Sequence, residues 1–358
     1  MNKTTITAAR ALDALDGPQA GDHWAPSVII DVRSPAEFEE DHVPGAISCP
    51  VLDNEQRIVV GTLYKQASPF EAKQVGAALV ARNIAHHIET RFRGQPRDWA
   101  PLVYCWRGGQ RSGAMAHILR QIGWNALTLE GGYRAYRREL LARLDALPSR
   151  FRFRVVSGVT GSAKSRLLGA LEARGAQVLD LEQIAVHRGS VLGSVPGSPQ
   201  PAQKLFDTLV WDRLRRMDPA RVVWVEAESK KVGNLQVPDA LLAAMRASPC
   251  VRIEAPLPER VRFLLDEYGH FLADAALLKD KLRHLVALHG ADTIARWEAM
   301  ADTGDWTALV GELLEKHYDP AYLKSSHRNY AGLASAQPLV LDSLAPEAIS
   351  HAAAALPA

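Results

Sequence analysis

PLVYCWRGGQRSGAMAHILRQIG (101–123) is the stretch that decides the fold. PLVYCW (101–106) is an apolar run of strand length, and SGAMAHILRQIG (112–123) has helical spacing closed by Gly123. Strand, tight loop and helix in that order make half of a βαβ unit. Outward from it, SVIIDV (27–32) reads as a second buried strand, FEAKQVGAALVARNI (70–84) as a helix, and ALTLEGG (126–132) as a strand ending in glycines. This alternation predicts an α/β domain, a parallel sheet with helices on both faces. YRAYRRELLARLDALP (133–148) reads as a helix that Pro148 stops, so the first domain is expected over 1–148.

A second alternation fills 149–358. FRFRVV (151–156), QVLDLE (177–182), RVVWVEAE (221–228), CVRIEA (250–255) and PLVLDS (338–343) are its strand candidates, and 258–330 is mostly helical in pattern. GSVLGSVPGSPQPAQ (189–203) is a Gly/Pro/Ser-rich loop long enough to have a functional role.

The bulk numbers agree with two domains: 358 residues, 47% hydrophobic and 23% charged. No apolar run approaches the roughly 20 residues that cross a bilayer. The amino-terminal stretch MNKTTITAARALDALDG lacks an apolar signal core, so a cytoplasmic protein is expected. Three scattered cysteines, Cys49, Cys105 and Cys250, exclude a disulfide framework, and no Cys/His cluster points to zinc. The net charge of +2 does not mark a nucleic-acid binder, so RNA contacts need local patches. Arg91/Arg93/Arg97, Arg134/Arg137/Arg138, Arg150/Arg152/Arg154 and Arg213/Arg215/Arg216 are candidates, each read first as a solvated face.

Cys105 ends a strand and opens the loop CWRGGQRS, with a helix behind it. Backbone N–H groups of such a loop point inward, and the helix adds the positive end of its dipole. Arg107 and Arg111 add full charge, and Gly108 and Gly109 permit the curvature. All of this favours the nucleophilic thiolate. With Gln110 and Ser112, the same loop would cradle a tetrahedral oxyanion. A buried structural cysteine is the ordinary alternative, but two arginines and two glycines within six residues do not suit an apolar core. Cys49 and Cys250 lack a basic loop and read as structural. Cys105 to Arg111 also has the C-x5-R-[ST] spacing of cysteine-dependent phosphatases, so this loop alone leaves both chemistries open.

FRFRVVSGVTGSAKSRLLGALEARG (151–175) sets a strand, a Gly-rich turn and a helix in order. GVTGSAKS, with Gly158, Thr160, Gly161, Ser162, Lys164 and Ser165, fits the phosphate-binding G-x-x-x-x-G-K-[ST] pattern except at Ala163. Backbone N–H groups would cradle a diphosphate, Lys164 would neutralise it, and Ser165 would hold Mg²⁺ or a phosphate oxygen. If position 163 needs a positive φ, its Cβ costs on the order of 1–2 kcal/mol; if it is already helical, little. Asp180, Glu182, Glu226 and Glu228, at the carboxyl ends of neighbouring strands, are candidates for metal or acid–base work. Ion-paired loop carboxylates are the alternative for any one of them. No firm metal site is readable.

IIDVRSPAEFEEDHVPGAI (29–47) resembles the amino-terminal signature of rhodanese domains, with Asp31, Arg33, Glu37, His42 and Gly45 in place. Asp41 stands where that pattern has Gly, which reads as a minor change. The order of this signature, YCWRGGQRSG, LEGGYRAYRR, the P-loop, LDLE with HRGSVLG, and WVEAESKKVGN closely resembles the bacterial tRNA 2-selenouridine synthase family over nearly the whole chain. The resemblance implies a rhodanese-like α/β domain (1–148), then a P-loop NTPase-like α/β domain with a helical carboxyl-terminal region (149–358). It implies action on wobble 2-thiouridine of tRNA, with geranylation of the sulfur by geranyl diphosphate and replacement by selenium from selenophosphate. Cys105 would carry selenium, Arg107 and Arg111 would meet the selenophosphate oxyanion, and Asp31 and Arg33 would brace the loop. The P-loop is expected to hold the diphosphate of geranyl diphosphate rather than ATP, with no tightly bound cofactor. A selenophosphate-supplying enzyme is a candidate partner, and no membrane is implied. HRGSVLGSVPG (187–197), with His187, Arg188 and Ser190, is expected to line the substrate space. HYDPAYLKSSHRNY (317–330) mixes basic and aromatic residues but reads first as a closing helix packed on the sheet. The rival reading is a rhodanese-type sulfurtransferase fused to a P-loop kinase or ATPase.

Overall fold

The structure is a computed structural model that describes residues 4–17, 25–190, 193–195, 197–269 and 274–357, without the side chains of 325–328. Residues 191, 192 and 196 of the expected substrate loop, and residues 1–3 of the amino-terminal stretch, lie outside the described residues. The chain forms two compact units. One comprises Met1–Leu144 and Ala202–Arg216, the other Asp145–Pro201 and Met217–Ala358.

The first unit is built on β1 (Thr5–Ile6), β2 (Val28–Asp31), β3 (Ala46–Ser48), β4 (Pro101–Tyr104) and β5 (Leu127–Leu129). They lie in the order β1-β5-β4-β2-β3, with every pairing parallel. β4 sits in the middle, and all four of its residues are buried, as its unbroken apolar run demands. Helices α1 (Ala8–Asp13), α2 (Pro35–Glu40), α3 (Asn54–Gln66), α4 (Pro69–His87), α5 (Gln110–Ile122) and α6 (Gly132–Ala146) complete this part. The helix expected at 112–123 starts two residues earlier and ends at Gly123, whose φ of +109° makes it the left-handed cap. Sequence reasoning missed α3 because none of its residues is buried, so it has no apolar stripe. Its Asp53/Gln56 capping box was the available signal.

The sequence boundary at Pro148 did not foresee the return of 202–216 to the first unit. That segment is a later helix, Gln203–Arg215. Arg137 pairs with Asp207 and donates to Lys204 O (2.8 Å). Tyr136 Oη lies 3.2 Å from Thr208 Oγ1, Lys204 pairs with Glu40 at 2.8 Å, and Arg215 donates to Leu15 O at 3.0 Å. Asp41 is fully buried beside this helix, accepts from Tyr133 Oη (2.8 Å), and lies 3.6 Å from Arg137. It is a node of the polar network that seats the returning helix, not the minor change its place in the rhodanese signature implied.

The second unit holds β6 (Arg152–Ser157), β7 (Gln177–Leu179), β8 (Val222–Glu226), a small antiparallel hairpin β9 (Lys231–Val232) and β10 (Leu235–Gln236), then β11 (Cys250–Glu254) and β12 (Gln337–Val340). The main sheet is parallel in the order β12-β11-β6-β8-β7, so all five expected strands are present. β6 lies where strand order reverses, and a crevice therefore opens at its carboxyl end. α7 (Lys164–Ala173) starts there, and α8 (Leu181–Ala185) follows β7. Leu167, Leu168, Leu171, Trp224, Val251 and Ile253 form the core under α7. The helices of 257–329 have their own core around Leu282, Trp297, Leu309 and Leu313. Among the described residues no helix is long and apolar enough to cross a membrane.

Candidate functional site

In the first unit, Cys105 follows β4 directly, and α5 begins five residues later. The loop curls against the glycines of LEGG. Gly108 has φ +67°, and a Cβ there would lie 2.6 Å from Leu129 O; Gly132 has φ +58°, and a Cβ there would lie 2.3 Å from Cys105 O. Tyr133 N donates to Cys105 O (2.8 Å) and Arg134 N to Trp106 O (3.2 Å), which locks the two segments together.

Cys105 is only 3% exposed, and Ser112 Oγ lies 3.2 Å from its sulfur. Burial alone would push the thiol up. The Ser112 hydroxyl, the N–H groups of Ser112 and Arg107, and the Arg111 charge outweigh it and hold Cys105 below the ordinary cysteine value. The other two cysteines show the opposite balance. Burial pushes Cys49 up, against the pull of Arg91, and pushes Cys250 up to about 11.

The two loop arginines have different surroundings. Arg111 is engaged by Glu37 through two hydrogen bonds, 2.9 and 3.4 Å, and Glu37 is held below the usual carboxylate range, the Arg111 contact outweighing burial. Its charge reaches the thiolate, while two of its hydrogen bonds go to the Glu37 carboxylate. Arg107 and Gln110 are exposed at the loop mouth, and Gly109 has an ordinary negative φ of −103°.

Asp31 and Arg33 sit beneath this loop, both fully buried, joined at 2.6 Å with further contacts at 3.0 and 3.1 Å. The Arg33 guanidinium lies 4.0 Å from the Tyr133 ring centre, and Tyr133 stacks on Trp106 at 5.2 Å. The pair thus reaches the Cys105 loop through Tyr133 and Trp106, where a bracing role can be tested. Asp31→Ala strands a buried cation and is expected to destabilise the first unit by about 3–5 kcal/mol, read by denaturant unfolding. A loss under about 1 kcal/mol would contradict the bracing role.

In the second unit the Gly-rich turn joins β6 to α7. Lys164 Nζ donates to Gly158 O (2.9 Å), and Gly158 N donates to Tyr322 Oη (2.9 Å). Ala163 has φ +59° and ψ +32°, so the left-handed alternative holds and its Cβ carries the strain of roughly 1–2 kcal/mol. Its methyl lies in the core with Leu167 and Leu168. Ser165 Oγ donates to Glu182 Oε2 at 2.8 Å.

Glu182, Glu226 and Glu228 each place an oxygen within 4.8 Å of the others. Burial raises all three; repulsion from neighbouring glutamates, Glu182 first, adds to it at Glu226 and Glu228, and that from Asp180 at Glu182, so Glu228 is pushed up to about 8 and Glu226 well above the carboxylate range, with Lys164 opposing. Glu226 Oε2 is buried without a partner. Asp180 is not in this cluster; its side chain caps α8 by accepting from Gln183 N (2.8 Å).

The 187–190 segment lies over the carboxylates. A Cβ on Gly189 would come within 2.5 Å of Glu182 Oε1. His187 Nδ1 accepts from Gly189 N (3.1 Å), and burial, aided by Lys281, lowers its pKa. Arg188 donates to Glu267 O (2.6 Å) and sits 4.8 Å from the Tyr268 ring centre. Thr160 to Ser165, Asp180, Glu182, Glu228, His187, Arg188 and Ser190 line one cavity of ≈ 740 Å³. Sequence reasoning missed its aromatic wall of Tyr268, Tyr318, Tyr322 and Tyr330. The 317–330 segment, read first as a closing helix, does form the helix Asp319–Asn329; in addition Tyr322 Oη accepts from Gly158 N and Tyr330 Oη donates to Glu228 O (2.7 Å). An adjoining apolar cavity, lined by Leu264, Leu278, Trp306, Val310, Leu313 and Leu314, shares Thr160, Ser190, Tyr268 and Tyr318 with the first.

The rhodanese-like domain model matches residues 8–139, and the tRNA 2-selenouridine synthase AAA domain model matches 151–287. A tRNA 2-selenouridine synthase of Bdellovibrio bacteriovorus is 33% identical over 347 residues, 84% of this chain and 89% of that protein. The chain belongs to the tRNA 2-selenouridine synthase family. The synthase of Nitrosomonas europaea is 32% identical over 68% of this chain, an alignment that spans 64% of that protein. A rhodanese-related protein of known structure from Thermoplasma volcanium is 19% identical, with a TM-score of 0.24, covering 38% of this chain and 91% of that one. Membership in the synthase family makes the chain a transferase and removes the phosphatase alternative that the Cys105 loop left open.

Proposed function

We propose that this chain replaces the sulfur of wobble 2-thiouridine in tRNA by selenium in two steps. In the first, the thiocarbonyl sulfur attacks C1 of geranyl diphosphate, the C1–O bond breaks, diphosphate leaves, and the N3 proton passes to solvent. In the second, the selenium of selenophosphate, held at Cys105, adds to C2, the C2–S bond breaks and the geranyl thiolate leaves; water then attacks phosphorus, the P–Se bond breaks and phosphate departs. The observation that carries the reading is Cys105, the one cysteine of three whose surroundings favour the thiolate. The first step is supported by the apolar pocket beside the Lys164 cradle; at ≈ 60 Å³ it admits only part of a prenyl chain, the rest of which would lie in the adjoining cavity of ≈ 740 Å³. Geranylation and selenation at one base, a candidate selenophosphate-supplying partner, and a reducing cytoplasmic setting for three free cysteines belong to the same reading. Nucleoside mass spectrometry on thiolated tRNA tests it, with geranyl diphosphate and selenophosphate added separately and together. S-geranyl-2-thiouridine is expected from the first alone and 2-selenouridine from both. An unchanged nucleoside under all conditions would reject the reading, whereas ATP hydrolysis coupled to sulfur transfer would favour the fused sulfurtransferase–ATPase.

Mg²⁺ fits this site. Three carboxylates converge within 4.8 Å, Glu226 Oε2 has no partner, and Ser165 is hydrogen-bonded to Glu182. Glu182, Glu226 and Glu228 would hold the ion, which supplies charge neutralisation for a diphosphate leaving group. Millimolar Mg²⁺ is expected to raise the thermal midpoint of the wild-type chain by a few degrees, and Glu226→Gln to remove most of that shift. An equal shift in both proteins would contradict the assignment.

A further inference from the structure

Beside the P-loop cavity lies a second cleft of ≈ 820 Å³, bounded by residues of 186–190, 194–195 and 197–200 and by the β9–β10 hairpin. Its wall carries serines, two amides and two lysines, Lys231 and Lys281, and among the described residues that line it none is a carboxylate. The neighbouring cavity is the reverse, with Asp180, Glu182, Glu228 and Glu267 on its wall. Lys230, one residue away, pairs with Asp239 at 3.7 Å, whereas neither Lys231 nor Lys281 is held in an ion pair among the described residues. The cleft is preformed. Gln200 Nε2 donates to Ala185 O and Val232 O, both at 3.1 Å, and its Oε1 accepts from Asn234 N at 2.8 Å. Gly233, at φ +58°, lets the hairpin close on it, since a Cβ there would lie 2.3 Å from Gln200 Oε1.

His187 stands at the border and lines both spaces. Its Nδ1 accepts from Gly189 N, so the neutral ring carries its proton on Nε2 and is a fixed donor. Polar, cationic walls with few apolar anchors suit a phosphate backbone rather than a peptide or a lipid.

We propose that this cleft holds the RNA strand that presents the reacting nucleotide, with Lys231 and Lys281 on its phosphates and the target base passing His187 into the P-loop cavity. The proposal rests on the reading of tRNA as substrate and names where in the second unit that RNA lies. The test uses the full chain and a thiolated anticodon stem-loop RNA, with binding read by fluorescence anisotropy across a salt series. In the Lys231→Ala/Lys281→Ala double variant the Kd is expected to rise about 10-fold at 0.1 M salt, and the slope of log K against log salt to fall by about 2. Lys231→Arg/Lys281→Arg is expected to keep wild-type affinity. The thermal midpoint and the calorimetric affinity for geranyl diphosphate should not change in either variant. RNA affinity and salt slope equal to wild type in the folded alanine variant would overturn the proposal. So would loss of geranyl diphosphate affinity in step with RNA affinity, which would mark the lysines as part of the diphosphate site. A wild-type chain that binds the RNA but no geranyl diphosphate would count against the P-loop reading and leave the RNA site standing.

Discussion

Cys105→Ser is expected to lower selenation of thiolated tRNA by at least about 10³-fold while leaving geranylation within about 2-fold of wild type. The reason is local. The sulfur sits between the Ser112 hydroxyl and the N–H groups of Arg107 and Ser112, and an oxygen there has no anionic form at neutral pH. Cys49→Ser and Cys250→Ser should leave both steps nearly unchanged, because burial keeps those thiols protonated. The pH dependence follows from the sign of the shift. A lowered thiol value means that thiolate persists further into the acid range, so the iodoacetamide rate at Cys105 should rise with a midpoint below the roughly 8.5 of free cysteine. A midpoint at or above that value, or selenation that survives Cys105→Ser, would remove the carrier from the scheme.

The second large effect is expected at Lys164. Lys164→Ala should reduce geranylation by roughly 10²–10³-fold, the usual loss when one donor to a developing anion is removed. The same variant, supplied with geranylated tRNA, should still exchange selenium at close to the wild-type rate. The cradle and the thiolate lie on different sheets, at the carboxyl ends of β6 and β4. Lys164 also opposes the upward shifts of Glu182 and Glu228, so its removal pushes both further towards the protonated form and weakens any Mg²⁺ held there. Equal loss of both steps, followed by nucleoside mass spectrometry, would reject this division between prenyl transfer and selenium transfer.

Much of this was legible in the chain because it depends on short-range order. A strand followed by CWRGGQRS and a helix can only present that cysteine in a ring of N–H groups. GVTGSAKS between a strand and a helix marks the second loop in the same way, and β2, β4 and β5 of the first sheet and all five strands of the second follow from apolar runs of the right length, whereas β1 and β3, two and three residues long, carry no such run. Ala163 marks the edge of such reasoning. The residue is visible in the sequence, but whether its backbone is left-handed is decided by the turn it closes.

What the sequence by itself determined is therefore the parallel α/β character of both units, the two glycine-rich strand–loop–helix turns and which cysteine opens a basic loop, since each is a matter of neighbours along the chain. Only the tertiary structure decided who partners whom across long separations. It gave Arg111 to Glu37, set Asp180 on a helix cap while bringing three glutamates together, walled the P-loop cavity with Tyr322 and Tyr330, and returned the 203–215 helix to the first unit through Asp41, Arg137 and Asp207. The physical reason is that a buried charge or an apolar face is satisfied by whatever the fold carries past it, and no local pattern records that choice.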